Sequence, residues 1–237
     1  MSSSSGAIRV AEWLLRRVLV GPPLRAWLRL EVEGREHVPA TGPVIIASNH
    51  LSFVDSMVIP LAAGRKVGFL GKAEYLQGTG PLGWFKRLWF GEFGGMIPVD
   101  RSDAKAAARS LELAEAHLAA RGAFAIYPEG TRSRDGMLHK GRTGVGRLAV
   151  ASRAPVVPCG LIGTDRAQPT GAKVIRPRKV TVRFAPPVDV AALEAELVKG
   201  KLLRAITDET MDAIAQRSGQ VRSSEYAPRP GTSAPLG

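Results

Sequence analysis

A single cysteine, Cys159, in 237 residues rules out an intramolecular disulfide and a cysteine-based metal cluster, so burial and hydrogen bonding must hold the fold. A reducing compartment is the simplest setting. Long apolar runs are missing as well. None approaches the length of about 18 residues that a membrane span needs, and the Ser2-Ser3-Ser4-Ser5 start lacks the basic leader and apolar stretch of a secretory signal, so neither a span nor export is expected. Acid is scarce: 21 Asp and Glu stand against 33 Lys and Arg, which gives a net charge of +12 and a pI near 10.5. Such a surface attracts phosphates, nucleic acid or an anionic bilayer. No internal repeat, zinc finger, RNA-recognition signature or Gly-x-Ser-x-Gly elbow is present.

What is there is a globular composition, 45% hydrophobic and 23% charged, which excludes a collagen, a coiled coil and a fully disordered chain. Near the N-terminus Ile8, Val10, Ala11, Leu14, Leu15, Val18 and Leu19 share one half of a helical wheel, with Arg9, Glu12, Arg16 and Arg17 opposite. This predicts an amphipathic helix ended by Pro22 and Pro23, either docked on the core or lying in a membrane interface; Trp13 and Trp27, flanked by arginines, favour the interface. From Leu30 the pattern changes to Leu30 and Val32, a turn at Gly34, and the buried-strand run Val44, Ile45, Ile46, Ala47. Further strands are expected at 66–70, 123–127, 156–161 and 179–184. Helices are expected at about 52–61, at 102–121 closed by Gly122, and at 190–216.

Short apolar strands alternating with helices predict an α/β fold, a mixed, mostly parallel sheet flanked by helices, preceded by the amphipathic helix. The expected organisation is a membrane-interface segment at 1–29, one domain at 30–217 and a Ser, Pro, Gly and Arg-rich disordered tail at 218–237. The charge is uneven. Residues 132–183 hold twelve lysines and arginines against Asp135 and Asp165, a net +10 of the chain's +12. Most such runs are solvated faces, and few aromatics interleave this one for base stacking, so nucleic acid is not the expected partner.

Of the four histidines, His37, His117 and His139 read as structural or solvated. His50 differs because it follows a predicted strand at once, in Asn49-His50-Leu51-Ser52-Phe53-Val54-Asp55, and strand ends are where α/β proteins place ligand sites. In a continuous helix His50 and Asp55 would diverge by about 140°. If the helix starts near Ser52, the carboxylate can reach back to the imidazole, fix its tautomer and leave a base suited to deprotonating a hydroxyl. Ser52-Phe53-Val54-Asp55 is equally a capping box, in which Asp55 only satisfies backbone N–H groups.

A second motif, Tyr127-Pro128-Glu129-Gly130-Thr131-Arg132-Ser133, directly follows the predicted strand residues 123–126. Its turn offers backbone N–H groups, hydroxyls and a guanidinium to phosphate oxygens, with Arg134, Lys140, Arg142 and Arg147 extending the field. Glu129 is read either as an exposed acid or as a buried one that orients the arginines or the histidine. A third segment, Gly95-Met96-Ile97-Pro98-Val99-Asp100-Arg101, puts Arg101 just before a predicted helix start, where side chain and free N–H groups can face one anion. In Ala154-Pro155-Val156-Val157-Pro158 the prolines predict an edge strand or a bend.

Taken in order and spacing, Asn49-His50 with Asp55, the Gly95 to Arg101 segment, the Tyr127 to Ser133 segment and Val156-Val157-Pro158 resemble the four blocks of the glycerolipid acyltransferase family, best known for 1-acylglycerol-3-phosphate acyltransferases. Supporting similarity spans about 30–184 and includes Gly71-Lys72-Ala73-Glu74 and Leu138-His139-Lys140-Gly141. Tyr127 stands where the family usually has phenylalanine, and Pro98 where a bulky residue is common.

The resemblance implies transfer of a fatty acyl group from acyl-CoA or acyl carrier protein to the free hydroxyl of 1-acylglycerol 3-phosphate, giving phosphatidic acid. His50 would be the general base and Asp55 its orienting partner, with Arg101, Glu129, Gly130, Thr131 and Arg132 taking the acceptor's phosphate. It implies no cofactor and no metal, and a peripheral position on the cytoplasmic side of the cell membrane. Another acceptor (glycerol 3-phosphate, another lysophospholipid or a glycolipid) is the alternative within the class. A non-catalytic binder of anionic lipid is the alternative outside it. Deleting residues 1–20 is expected to weaken sedimentation with anionic vesicles; unchanged sedimentation contradicts the interfacial helix.

Overall fold

The computed structural model describes residues 21–72, 95–99, 106–172 and 174–228. Its centre is a seven-stranded sheet built from β1 (Glu31–Glu33), β2 (Val44–Ser48), β3 (Val67–Lys72), β4 (Met96–Val99), β5 (Ala123–Ile126), β6 (Val156–Ile162) and β7 (Thr181–Phe184), in the order β1-β7-β6-β2-β5-β3-β4. The five strands from β6 to β4 are mutually parallel. β7 runs antiparallel to β6, and β1 pairs parallel to β7, so two strands oppose five. This is the mixed, mostly parallel sheet that the alternation of strands and helices predicts.

β2 is buried along its whole length and sits between β5 and β6. Its alternating side chains feed two cores, because successive Cβ atoms point to opposite faces. Val44 and Ile46 join Val58, Ile59, Leu61 and Ala62 of α2 (Asp55–Ala63) on one face. Ile45 and Ala47 face the other core, made with Leu118 of α3 (Ala106–Ala119), Leu148 of α4 (Gly144–Ser152) and Ile206 of α7 (Lys199–Ser218). The remaining α-helices among the described residues are the short α1 (Gly21–Trp27), α5 (Thr164–Ala167) and α6 (Val190–Glu196).

Four expectations need correction. Pro22 and Pro23 lie within the helical segment α1 and do not end a helix there; the predicted amphipathic stretch before Gly21 lies outside the described residues. The single helix expected at 190–216 is two, α6 and α7, separated at Leu197 and Val198, whose extended backbones (ψ 139° and 146°) break the helical ladder. β6 is an interior strand despite Pro158, because that residue sits at the end of the β6 and β7 ladder, where its carbonyl still accepts from Ala185 N at 2.8 Å.

The fourth concerns the tail. Residues 219–228 are not a disordered start to a tail but a strap laid across the molecule: Leu138 N donates to Val221 O, Ser223 N to Leu138 O, and Lys140 N to Glu225 O. Ala227 is buried at its end. Composition foresees no core in this segment, yet a neighbour's free backbone groups are enough to order it.

α7 packs against β6 at Gly160, where an added Cβ would lie 2.5 Å from the backbone of Arg217 and Ser218. Gly160→Ala must therefore push the end of α7 off the sheet. The expected cost is about 1–3 kcal/mol, read by urea or thermal unfolding, and wild-type stability would mean the helix is free to shift.

Candidate active site

The strand register decides where the motifs meet. Ser48, the last residue of β2, lies beside Cys159 of β6, and Ala47 lies beside Ile126, the last residue of β5. Because these strands are parallel, the loops that leave them emerge at one edge of the sheet, the carboxyl edge where α/β folds hold their ligands.

Asn49 carries the pairing one residue past the end of β2. It is fully buried; its Nδ2 donates to Leu161 O at 3.0 Å and its Oδ1 accepts from Leu161 N at 2.8 Å, so a side chain takes the place of a strand partner. His50 follows, with its backbone held on both sides. Its N–H donates to Glu129 Oε1 at 3.3 Å, and its carbonyl accepts from Ser133 N at 2.8 Å.

Asp55 opens α2, where the helix dipole favours a carboxylate. Its Oδ2 accepts three hydrogen bonds of 2.8 Å each, from Leu51 N, Ser52 N and the imidazole Nδ1 of His50. The capping and orienting readings of Asp55 are therefore not alternatives, because one oxygen does both. The residue is completely buried, and among the described residues its Oδ1 has no partner, so its charge depends on the Oδ2 contacts. A carboxylate on Nδ1 fixes the N–H there and leaves Nε2 as the nitrogen that can take a proton.

The imidazole lies flat on the ring of Tyr127, with centroids 3.8 Å apart and planes 10° from parallel. The phenol shares a 2.8 Å hydrogen bond with Ser56 Oγ, and burial pushes its ionisation well above the usual range, so the ring is a neutral platform. The stacking role was not visible in the sequence beyond the presence of an aromatic residue; Ser56 carried no signal, and Asn49 was read only as part of the Asn49-His50 block.

Glu129 is 1% exposed, and its carboxylate is occupied by the backbone N–H groups of His50 and His139, the latter at 3.0 Å from Oε2. It ties the histidine loop to the loop after β5 from inside, while Gly130 and Arg132 are exposed and Thr131 is half-buried. The turn between them needs glycine: Gly130 has φ of +78°, the left-handed region, and its N–H donates to Tyr127 O at 2.9 Å. Arg142 closes the same loop through its N–H to Pro128 O, and its guanidinium lies 5.1 Å over the ring of Tyr226, beside Lys140 at 5.3 Å. Arg101 and the segment 73–94, with Ala73 and Glu74, fall outside the described residues. Among the described residues no group of three or more His, Cys, Asp or Glu is arranged to hold a metal ion.

The general family model for acyltransferases matches residues 29–162, more than half of the sequence, and takes in His50, Asp55 and the Tyr127 to Ser133 loop. The chain belongs to the acyltransferase family.

Among curated relatives, a chloroplastic 1-acyl-sn-glycerol-3-phosphate acyltransferase of Brassica napus is 29% identical over 148 residues, covering 62% of this chain and 41% of its own length. The mouse 1-acyl-sn-glycerol-3-phosphate acyltransferase alpha is 28% identical over 218 residues, covering 85% of this acyltransferase and 72% of its own length. The chain thus spans well under two thirds of the plant relative. The crystal structure of the 1-acyl-sn-glycerophosphate acyltransferase PlsC from Thermotoga maritima superimposes with a TM-score of 0.66 at 22% identity, over 91% of this chain and 84% of that one, which shows a shared fold.

Burial raises the Glu129 carboxyl from 4.5 to about 7, against the pull of its two amide donors. The folded state therefore holds a proton that the unfolded state releases between about pH 4.5 and 7, and stability should fall as pH rises through that window. The expected slope is at most about 1.4 kcal/mol per pH unit relative to Glu129→Gln, read by urea unfolding of both proteins. Parallel pH profiles for the two would place the titration elsewhere.

Proposed function

We propose that this acyltransferase moves a fatty acyl group from an acyl thioester to the free hydroxyl of 1-acylglycerol 3-phosphate, giving phosphatidic acid. The observation that carries the reading is the imidazole of His50, held through Nδ1 by a buried carboxylate and stacked on Tyr127. The names of the relatives, which are 1-acylglycerol-3-phosphate acyltransferases, supply the substrate class.

In this reading Nε2 of His50 removes the proton as the hydroxyl oxygen attacks the thioester carbonyl carbon. The tetrahedral intermediate then collapses, the carbon–sulfur bond breaks, and the imidazolium returns its proton to the departing thiolate. Asp55 stabilises the imidazolium between those steps. Direct transfer is favoured over an acyl-cysteine, because Cys159 is fully buried within β6 and burial pushes its thiol far above the range in which a thiolate forms. Arg132, Thr131 and Gly130, with Arg101, receive the acceptor's phosphate; Glu129 acts behind them, by holding the backbone of His50. The donor is acyl-CoA or acyl carrier protein, both of which suit a +12 protein.

Substrate and product of this reaction are membrane lipids, so we place the chain on an anionic bilayer, peripherally and on its cytoplasmic side. Support comes from Trp27, which is 51% exposed and tethered by its indole N–H to Ile175 O, and from exposed Val174 beside it in sequence. The exposed Arg166, Arg176 and Arg178 surround a nearby hollow. No helix among the described residues is long and apolar enough to cross a membrane.

Thiol release from palmitoyl-CoA, with and without 1-acylglycerol 3-phosphate, tests the reading. Release should require the acceptor and should fall by roughly 100-fold to 10,000-fold in a folded His50→Ala variant. Near wild-type release in that variant sinks the base assignment, and no release from any thioester with any lysophospholipid leaves the lipid-binding alternative. Arg132→Ala is expected to raise the acceptor concentration needed, since a charge-assisted contact to phosphate contributes about 1.5–3 kcal/mol. An unchanged requirement would move the phosphate away from this loop.

A further inference from the structure

Beyond residue 162, where the family match stops, the chain returns to the site. α7 ends at Ser218, Gly219 turns the backbone with φ of +74°, and the strap begins. Its first polar side chain is Gln220. Oε1 of that amide accepts from Asn49 Nδ2 at 2.6 Å, and its Nε2 donates to Gly136 O at 2.8 Å.

The two partners lie on the two loops that hold the histidine. Asn49 directly precedes His50, and since one N–H and the oxygen of its amide are committed to Leu161, Gln220 satisfies the second, buried N–H. Gly136 belongs to the loop whose Ser133 N–H grips the carbonyl of His50. One amide, acting as acceptor on one side and donor on the other, thereby spans both. Main-chain bonds from Leu138 and Lys140 to the strap, and the ion pair of Arg222 with Asp212 of α7, keep it in place.

We propose that Gln220 is a positioning residue for the reaction: it sets the His50 loop in register with the Gly130 to Arg132 loop, so that base and phosphate-binding group address one acceptor at a fixed separation. The role rests on His50 being the general base. It also needs an amide. Leucine matches the volume of glutamine but makes neither bond, whereas glutamate keeps an acceptor for Asn49 and loses the donor to Gly136.

The test compares Gln220→Leu, Gln220→Glu and His50→Ala in the full chain, by acceptor-dependent thiol release from palmitoyl-CoA and by thermal melting. Gln220→Leu is expected to lower kcat roughly 10-fold to 100-fold, the scale of a small misplacement of a catalytic group, with the donor KM within about twofold. The melting temperature should change little, and Gln220→Glu should recover part of the lost kcat. A Gln220→Leu protein that melts early yet turns over normally has lost only structure, which overturns the proposal, as does an equal loss in Gln220→Glu. Full activity of Gln220→Leu beside an inert His50→Ala removes this proposal alone, while full activity of His50→Ala removes the base assignment with it.

Discussion

The arrangement depends on a carboxylate with nowhere else to put its charge. Asp55 is fully out of water, and a buried ionised group is tolerated only when donors converge on it. Three do, all on Oδ2: two backbone amides of the turn and the imidazole of His50. The amides shape the turn between β2 and α2, and that turn brings a residue five positions upstream within reach, which a continuous helix would forbid. Loop geometry and imidazole orientation are consequences of one desolvated oxygen.

A second buried acid completes the hold from the opposite loop. Glu129 faces the amides of His50 and His139, so the segment after β5 cannot move without the segment after β2. Tyr127, the first residue after β5, supplies the flat surface on which the ring rests. Parallel pairing of β2 with both β5 and β6 makes this convergence possible, because all three strands deliver their loops to the same edge. The polar side chains outside, Arg132 among them, are left exposed.

Much of this was legible in the residues. The runs Val44 to Ala47 and Val156 to Leu161 are apolar without interruption because central parallel strands are covered on both faces, and they appear as strands close to their expected limits. The site motifs stand out because polar residues directly after such runs have little structural reason to be there. Other features were hidden for physical reasons. The break at Leu197 and Val198 carries no glycine or proline, and backbone conformation alone separates α6 from α7. The strap at 219–228 has the composition of a disordered tail, and its order comes from partners 80 or more residues away in sequence, such as Leu138 and Asn49. The burial of Glu129 likewise depends on two loops meeting, which no local pattern records.

In the proposed mechanism Asp55 holds the proton of His50 on Nδ1 and leaves Nε2 free to act as base. Nitrogen-15 NMR of the histidine side chains, with His50 assigned by comparison with a His50→Gln protein, reads this directly. Neutral His50 is expected as the Nδ1–H tautomer, and Asp55→Ala is expected to abolish this preference. A neutral His50 protonated on Nε2 in the wild-type protein would contradict it.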